Sequence, residues 1–320
     1  MSRFDSAKLH IQVESAKHPW IAVPSRVLAL GEVLWDVFDD STRLGGAPLN
    51  FAVHVSRMEH ETILISALGA DELGDRARAE VLALGGDTRF IQTIEGFPTG
   101  TAVVQLGANG QTRFRIQRPA AYDAVELSEP QIVTLAQWAP LWLYFGTLFL
   151  MTGQGLKTLR MLVSALPGAA TIYDLNLRPE SYTPRLVTEL LAMAHVVKLN
   201  ESEMDAVGEF AGLPHSGIEE FCREGARRFG WRAVCVTLGA RGCALLNGAE
   251  YVEAEGYPVE IADTVGAGDG FTAALLHGLD RQWPTEEIAE FANRVGAIIA
   301  SRPGAIPDWH PSEVFSVGKP

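Results

Sequence analysis

An aspartate that follows three small residues at the mouth of an apolar segment is the first chemistry this chain offers. In residues 261–278, IADTVGAGDGFTAALLHG, Gly266, Ala267 and Gly268 precede Asp269. Phe271, Ala274, Leu275 and Gly278 recur at three- and four-residue spacing, which predicts a helix. The first N–H groups of a helix have no intrahelical acceptor, and the helix dipole adds partial positive charge, so the place suits an anion. A carboxylate there reads as a general base beside an oxyanion pocket. Asp269 takes a proton from a hydroxyl, while the Gly266, Ala267 and Gly268 amides hold the charge that develops on a transferred phosphoryl group. A plain helix N-cap has the same local pattern. A dinucleotide-binding fold does not: the spacing is G-x-G-x-G, and too little chain follows it. The G-x-x-x-x-G-K-[ST] phosphate loop occurs nowhere.

Further polar groups follow strand-like runs. Gly45 and Gly46 let the backbone approach a small polyol, whose hydroxyls Asp36 and Asn50 can bind. Asp174, Asn176 and Arg178 form D-x-N-x-R directly after a predicted strand, where they would point into a cleft. The arginine there can hold a phosphate or a carbonyl by charge-assisted bonds. Asn200 and Glu203 are an amide and a carboxylate three apart, which suits hydrated magnesium and equally suits a capping box. Thr237, Gly239 and Gly242 stand in TLGARG, a turn after another strand.

These groups need elements to position them. Apolar runs predict strands at 26–31, 62–68, 89–94, 141–145, 170–174, 195–199 and 233–238. Helical patterns lie between and after them: from near Pro48 (carrying Phe51, Ala52, Val55 and Met58), then 71–84, 153–166, 185–194, 217–229 and 286–300. A hairpin-like pair, 242–246 with 251–254, precedes the glycine-rich motif. The alternation implies a mostly parallel sheet with helices on both faces and ligands at the C-terminal strand ends. Residues 101–118 break the pattern. They alternate around Asn109-Gly110, a hairpin signal, and together with residues 36–45 predict a small separate sheet acting as a lid.

The bulk numbers narrow the classes. A net charge of −13 argues against nucleic-acid or acidic-membrane partners. No apolar run has membrane length, and the N-terminus lacks an apolar signal core. Cys222, Cys235 and Cys243 have no metal-site spacing and read as reduced, buried thiols, which points to the cytoplasm.

DTVGAGD at 263–269 resembles the C-terminal signature of the ribokinase-like (PfkB) carbohydrate kinases. GEVLWD with LGGAPLN resembles the family's N-terminal signature. D-x-N-x-R, N-x-x-E and T-x-G-x-x-G follow in that family's order across residues 26–310. AAYDAV at 120–125 departs from the family's usual pattern. The resemblance implies a ribokinase-like three-layer α/β sandwich with a mostly parallel central sheet and a small β-sheet lid. Residues 1–25 would be an extension and 311–320 a tail. It implies Asp269 as the base and Gly266, Ala267 and Gly268 as the anion hole. Asp36, Gly45, Gly46, Asn50 and Arg178 would bind substrate. Lys198, Asn200, Thr237, Gly239, Gly242, Gly268 and Asn293 would bind ATP. Asn200 and Glu203 would meet Mg2+ through water, and Asp263 with carbonyls of the SRPGAIP loop would hold K+. Val265 replaces the Thr of some ribokinases.

GEVLWDVF, FGTLFL at 145–150 and DLNLRPESY at 174–182 are most similar to bacterial fructokinases. Ribose and 2-keto-3-deoxygluconate are the other substrates in view, with Arg115, Arg118 and Arg178 as cations for a sugar acid. A silent sugar- or nucleotide-binding regulator is the alternative of another class. A homodimer joined through the lid is the expected assembly.

Overall fold

The computed structural model describes residues 24–39, 41–106, 112–178, 180–214 and 216–318. The turn expected at Asn109-Gly110 and the extension before residue 24 lie outside them.

Elements are numbered in chain order. β1 (Arg26–Leu30) runs on into β2 (Leu34–Val37) and returns as β3 (Thr42–Gly45). Then come α1 (Ala47–Arg57), β4 (Glu61–Gly69), α2 (Glu72–Ala83), β5 (Ile91–Ile94), β6 (Gly100–Leu106) and β7 (Thr112–Ile116). The next are α3 (Glu129–Trp138), β8 (Trp142–Phe145), α4 (Gly153–Ala165), β9 (Ala170–Asp174), α5 (Pro184–Met193) and β10 (Val196–Asn200). The chain continues through α6 (Glu201–Ala211), α7 (Ile218–Phe229), β11 (Ala233–Thr237), β12 (Gly242–Asn247) and β13 (Glu250–Glu255). It ends its regular structure with α8 (Ala267–Asp280) and α9 (Thr285–Ala300).

The main sheet has nine strands in the order β13-β12-β11-β10-β9-β8-β1-β4-β5. Its strands pair in parallel from β11 to β5, and the β12–β13 hairpin closes one edge antiparallel. Alternate residues of each strand feed two cores. Val27 and Ala29 pack with α1, α8 and α9, while Leu28 and Leu30 pack on the opposite side with α4, α5 and α7. Two cores divided by one sheet make the three layers that the alternation implied.

The second sheet has the order β3-β2-β6-β7. It is the separate sheet expected from residues 36–45 and 101–118. Because β2 continues from β1, this sheet stands directly over the C-terminal edge of the main one. Trp35 anchors it: the ring is fully buried, its Nε1 donates to the Leu73 carbonyl at 3.0 Å, and Arg76 stacks on it at 4.6 Å.

Three differences from the sequence expectation have physical causes. α3 was not legible as periodicity because only Leu135 on it is buried; Ser128, whose N–H and hydroxyl bond Gln131 at 2.9 Å, was its local sign. α8 is not amphipathic, since residues 269–278 are all buried; it is a core helix lodged between α1 and α9. Residues 311–317, part of the expected tail, pack against the main core. Val314 is fully buried in the main core, and Arg294 bonds the Val314 and Val317 carbonyls.

Truncation of Trp35 tests the anchoring. Trp35→Phe should cost about 1 kcal/mol, the net worth of the lost hydrogen bond. Trp35→Ala should cost about 3–5 kcal/mol through the cavity. Urea midpoints measure both, and an Ala variant as stable as the parent would show that the small sheet is anchored elsewhere.

Candidate active site

The N-terminus of α8 opens at the C-terminal edge of the main sheet. Gly266 caps it with φ +80°, and a Cβ there would collide with the Ala305 carbonyl oxygen. Glycine is therefore required twice over. Asp263 organises the preceding turn, its Oδ1 accepting the Val265 N–H at 3.0 Å. The Ala267 N–H leans back to the Thr264 carbonyl at 3.3 Å. Gly268 is exposed at the mouth, and Lys198 Nζ lies 3.2 Å from where a Cβ at Gly268 would stand. A lysine ammonium and a helix N-terminus thus converge on one point.

Asp269 is buried in the first turn, and its Oδ2 accepts from Asn50 Nδ2 at 2.7 Å. Burial and the charge of Asp174 push its pKa up to about 7, against the pull of the Asn50 bond, Lys198 and Arg178. That places a carboxylate's proton affinity near neutrality, where a general base works best.

Asp174 does not point into the cleft as expected. It is fully buried and pairs with Lys198 Nζ at 3.1 Å. The Thr272 hydroxyl lies 2.7 Å from its Oδ2 and 2.9 Å from the Gly268 carbonyl. Burial alone would lower the Lys198 pKa, but Asp174, Glu203 and Asp269 outweigh it and hold the ammonium charged. The charge at Gly268 is thereby kept and aimed.

A second set lies under the small sheet. Asp36 is buried on β2, and burial lifts its pKa to about 6 despite Arg178. Gly45 leaves room for it, since a Cβ there would stand 2.8 Å from Asp36 Oδ2. Gly46, at φ +109°, passes against the Glu32 carbonyl and turns the chain into α1, which carries Asn50. The charge of Arg178 acts on Glu32, Asp36 and Asp269 alike, pulling each pKa down against burial.

Glu32 escaped the sequence reading. It is buried just past β1, and burial, with Asp269 adding to it, pushes its pKa up to about 7. Among the described residues, Glu32 Oε2 and Asn50 Oδ1 are buried without a hydrogen-bond partner, as are the Ser66, Tyr122 and Tyr144 hydroxyls. Native interiors rarely tolerate such atoms unless a ligand or water completes them. The available signal was a charged residue set directly after a buried apolar strand.

The remaining predicted residues lie elsewhere or face inward. Asn200 and Glu203 form a complete capping box: Asn200 Oδ1 accepts the Glu203 N–H at 2.9 Å, and Glu203 Oε2 accepts the Asn200 N–H at 2.8 Å. Glu203 Oε1 takes the Leu177 N–H at 2.7 Å, so this carboxylate ties the loop carrying Arg178 to α6. Each of its oxygens accepts one backbone N–H. Thr237 ends β11, and Gly239 turns the chain at φ +61°. The Gly242 N–H is spent on the Gly239 carbonyl, and a Cβ at Gly242 would collide with the Ala254 carbonyl. The structure therefore uses Gly242 for close strand crossing rather than as a phosphate donor. Asn293 is buried, not solvated, and donates to the Ala254 and Glu255 carbonyls at 3.2 Å each. Among the described residues, no three His, Cys, Asp or Glu side chains cluster to hold a metal. Of the sugar-acid candidates, Arg118 is committed to Asp123 and the Leu148 carbonyl, and Arg115 is exposed.

The model of the pfkB family carbohydrate kinases matches residues 15–311. Fructokinase-1 of Oryza sativa subsp. japonica is 30% identical over 284 residues, covering 84% of this chain and 86% of that protein. Among solved structures, the ATP-bound fructokinase of Xylella fastidiosa superposes with a TM-score of 0.80 at 23% identity, covering 92% of this chain and 98% of the other. A fructokinase double mutant of Vibrio cholerae, in its fructose-, ADP- and potassium-bound form, has a TM-score of 0.76 at 22% identity with the same coverages.

The raised Asp269 pKa has a sign that stability measurements can read. Between about pH 4 and pH 7 the native carboxyl keeps a proton that the unfolded chain has released, so stability falls as pH rises. The group costs the unliganded protein on the order of 4 kcal/mol by pH 8. Asp269→Asn should therefore be more stable than the parent at pH 8, by a margin that shrinks toward pH 5. Parallel urea midpoints for the two proteins across that range would refute the assigned burial.

Proposed function

Since the chain belongs to the pfkB family of carbohydrate kinases, we propose that it transfers the γ-phosphoryl group of ATP to a hydroxyl of a small neutral sugar, and that the sugar is fructose. The observation that carries the neutral-sugar reading is the pair of unpartnered acceptors, Glu32 Oε2 and Asn50 Oδ1, beside the buried Asp269. Sugar hydroxyls are donors of the kind those atoms lack. The charge balance agrees. Glu32, Asp36 and Asp269 all draw on the charge of Arg178, while Arg118 is spent on Asp123. A sugar acid would bring a fourth carboxyl group to a site whose own three already resist ionisation, so 2-keto-3-deoxygluconate is the poorer substrate.

In this reading Asp269 takes the proton of the attacking hydroxyl, and Asn50 orients the carboxylate. The Gly268 amide at the mouth of α8 and the Lys198 ammonium hold the phosphoryl charge as it develops, while the Ala267 N–H is held by the Thr264 carbonyl. Asp36 and Glu32 fix the other hydroxyls. The small sheet closes over the sugar and excludes water, which limits transfer of the phosphoryl group to solvent. Magnesium, when bound, neutralises phosphate charge. It fits here as an ion carried by the nucleotide and its water shell rather than held in a protein cage. In the same reading Thr237 and Gly239, at the end of β11, bind the nucleotide beside its phosphates. The three cysteines are free and buried, which suits a cytoplasmic site of action.

ADP release with ATP and magnesium, across fructose, ribose, tagatose, 2-keto-3-deoxygluconate and adenosine, tests the proposal. Fructose should turn over fastest. Asp269→Asn should lose about 10²–10⁴ in turnover with sugar binding kept. Turnover confined to the sugar acid would overturn the charge argument, and a fully active Asp269→Asn would remove the base.

A further inference from the structure

The family resemblance implies a monovalent cation at Asp263 and the carbonyls of the following SRPGAIP loop. Those groups do not fit one in this chain. Asp263 Oδ1 is taken by the Val265 N–H at 3.0 Å. Its Oδ2 accepts the Gly304 N–H at 3.2 Å and Arg43 Nη1 at 2.9 Å. Two of the loop carbonyls, Ala305 and Pro307, and the Asp308 carbonyl just after them are engaged as well. Ala305 O lies 3.0 Å from His54 Nε2, and the Trp309 indole N–H donates to His54 Nδ1 at 3.0 Å. That second bond leaves the imidazole proton on Nε2, so His54 donates to Ala305. Pro307 O accepts from Arg57, and Asp308 O from Arg302. A bound cation needs several oxygen lone pairs directed at it and no neighbouring positive charge. Here a guanidinium already sits on the one carboxylate.

Arg43 is well placed for that role. It belongs to β3 of the small sheet and stands directly across from Asp36 on β2. Its guanidinium lies over the Phe38 ring at 4.9 Å, and Asp36 and Asp263 are the carboxylates that face it. One side chain therefore reaches from the sheet over the sugar site to the turn that shapes the α8 N-terminus.

Building on the kinase reading, we propose that Arg43 is a tethered cation that replaces the dissolved monovalent ion. It holds the 263–266 turn in shape and makes that shape depend on the position of the small sheet. Arg43 is a positioning residue: it acts on the anion-binding amides through Asp263.

The full chain can be tested in potassium against tetramethylammonium at equal ionic strength. For the parent protein, the melting midpoint and fructose turnover should be the same in both salts within about twofold, and thallium(I), a potassium analogue read by its own NMR signal, should show no saturable binding. Arg43→Gln should lose turnover in tetramethylammonium, recover it in potassium, and acquire both thallium binding and a potassium-dependent rise in melting midpoint. Arg43→Lys, which keeps the charge, should stay independent of potassium. Saturable thallium binding or more than tenfold potassium activation in the parent would overturn the proposal. So would an Arg43→Gln variant that gains no ion binding. The melting and thallium measurements need no sugar, so they decide this point even if no sugar turns over and the kinase reading fails.

Discussion

A helix buried on every side still has to leave its first N–H groups unbonded within itself. In α8 that end opens at the edge of the main sheet, and it carries a buried carboxylate in its first turn. Burying a carboxylate is costly unless hydrogen bonds and opposite charge offset it. The rest of the site can be understood as the answer to that demand. Asn50 supplies the hydrogen bond, Lys198 and Arg178 supply charge, and Gly266 lets the turn close against Ala305. The offset is partial, and what remains is a proton affinity lifted to where a base is useful.

The buried ion pair has a separate task. Lys198 and Asp174 exclude water from one another and would gain little stability on their own. Their value lies in position. Asp174 is braced by Thr272 of α8, so the ammonium is fixed relative to the helix mouth it faces. Glu203 extends the same bracing to the loop of Arg178. In the proposed reaction, donors that are already oriented need no rearrangement as charge develops, which is the general advantage of preorganised sites.

The small sheet joins this system through two side chains of different character. Trp35 fixes its root by burial and by one hydrogen bond, while Arg43 spans its far side to the α8 turn through an ion pair that is partly exposed. The first contact is set by packing and changes little with the state of the site. The second crosses the cleft, and an exposed ion pair is worth little in free energy.

Much of this fold was legible in the sequence because its signals are local. Apolar runs marked the parallel strands, the Asn200–Glu203 spacing marked a helix start, and Gly266 to Gly268 marked an open helix mouth next to an acid. The antiparallel β12–β13 pair and the separate four-stranded sheet also followed from alternation and turn residues. Helix α3 was missed because it buries too little to leave a periodic trace. The proposed site was legible as a set of residues but not as a set of partners. Asp174 looked like a cleft residue and proved to be the brace of Lys198. Glu32 was not singled out by the sequence, and its raised pKa owes part of its shift to Asp269. Asn293 was expected at the nucleotide, and its amide donates to the Ala254 and Glu255 carbonyls at the end of β13. Asn50 meets Asp269 across 219 positions of chain, and Arg43 meets Asp263 across 220. Propensity, capping and periodicity act over a few residues, so the sequence alone determines which elements form and which chemical groups they carry. Which carboxylate faces which cation, and which backbone groups are already spent, depends on how distant elements pack, and only the tertiary structure decides that.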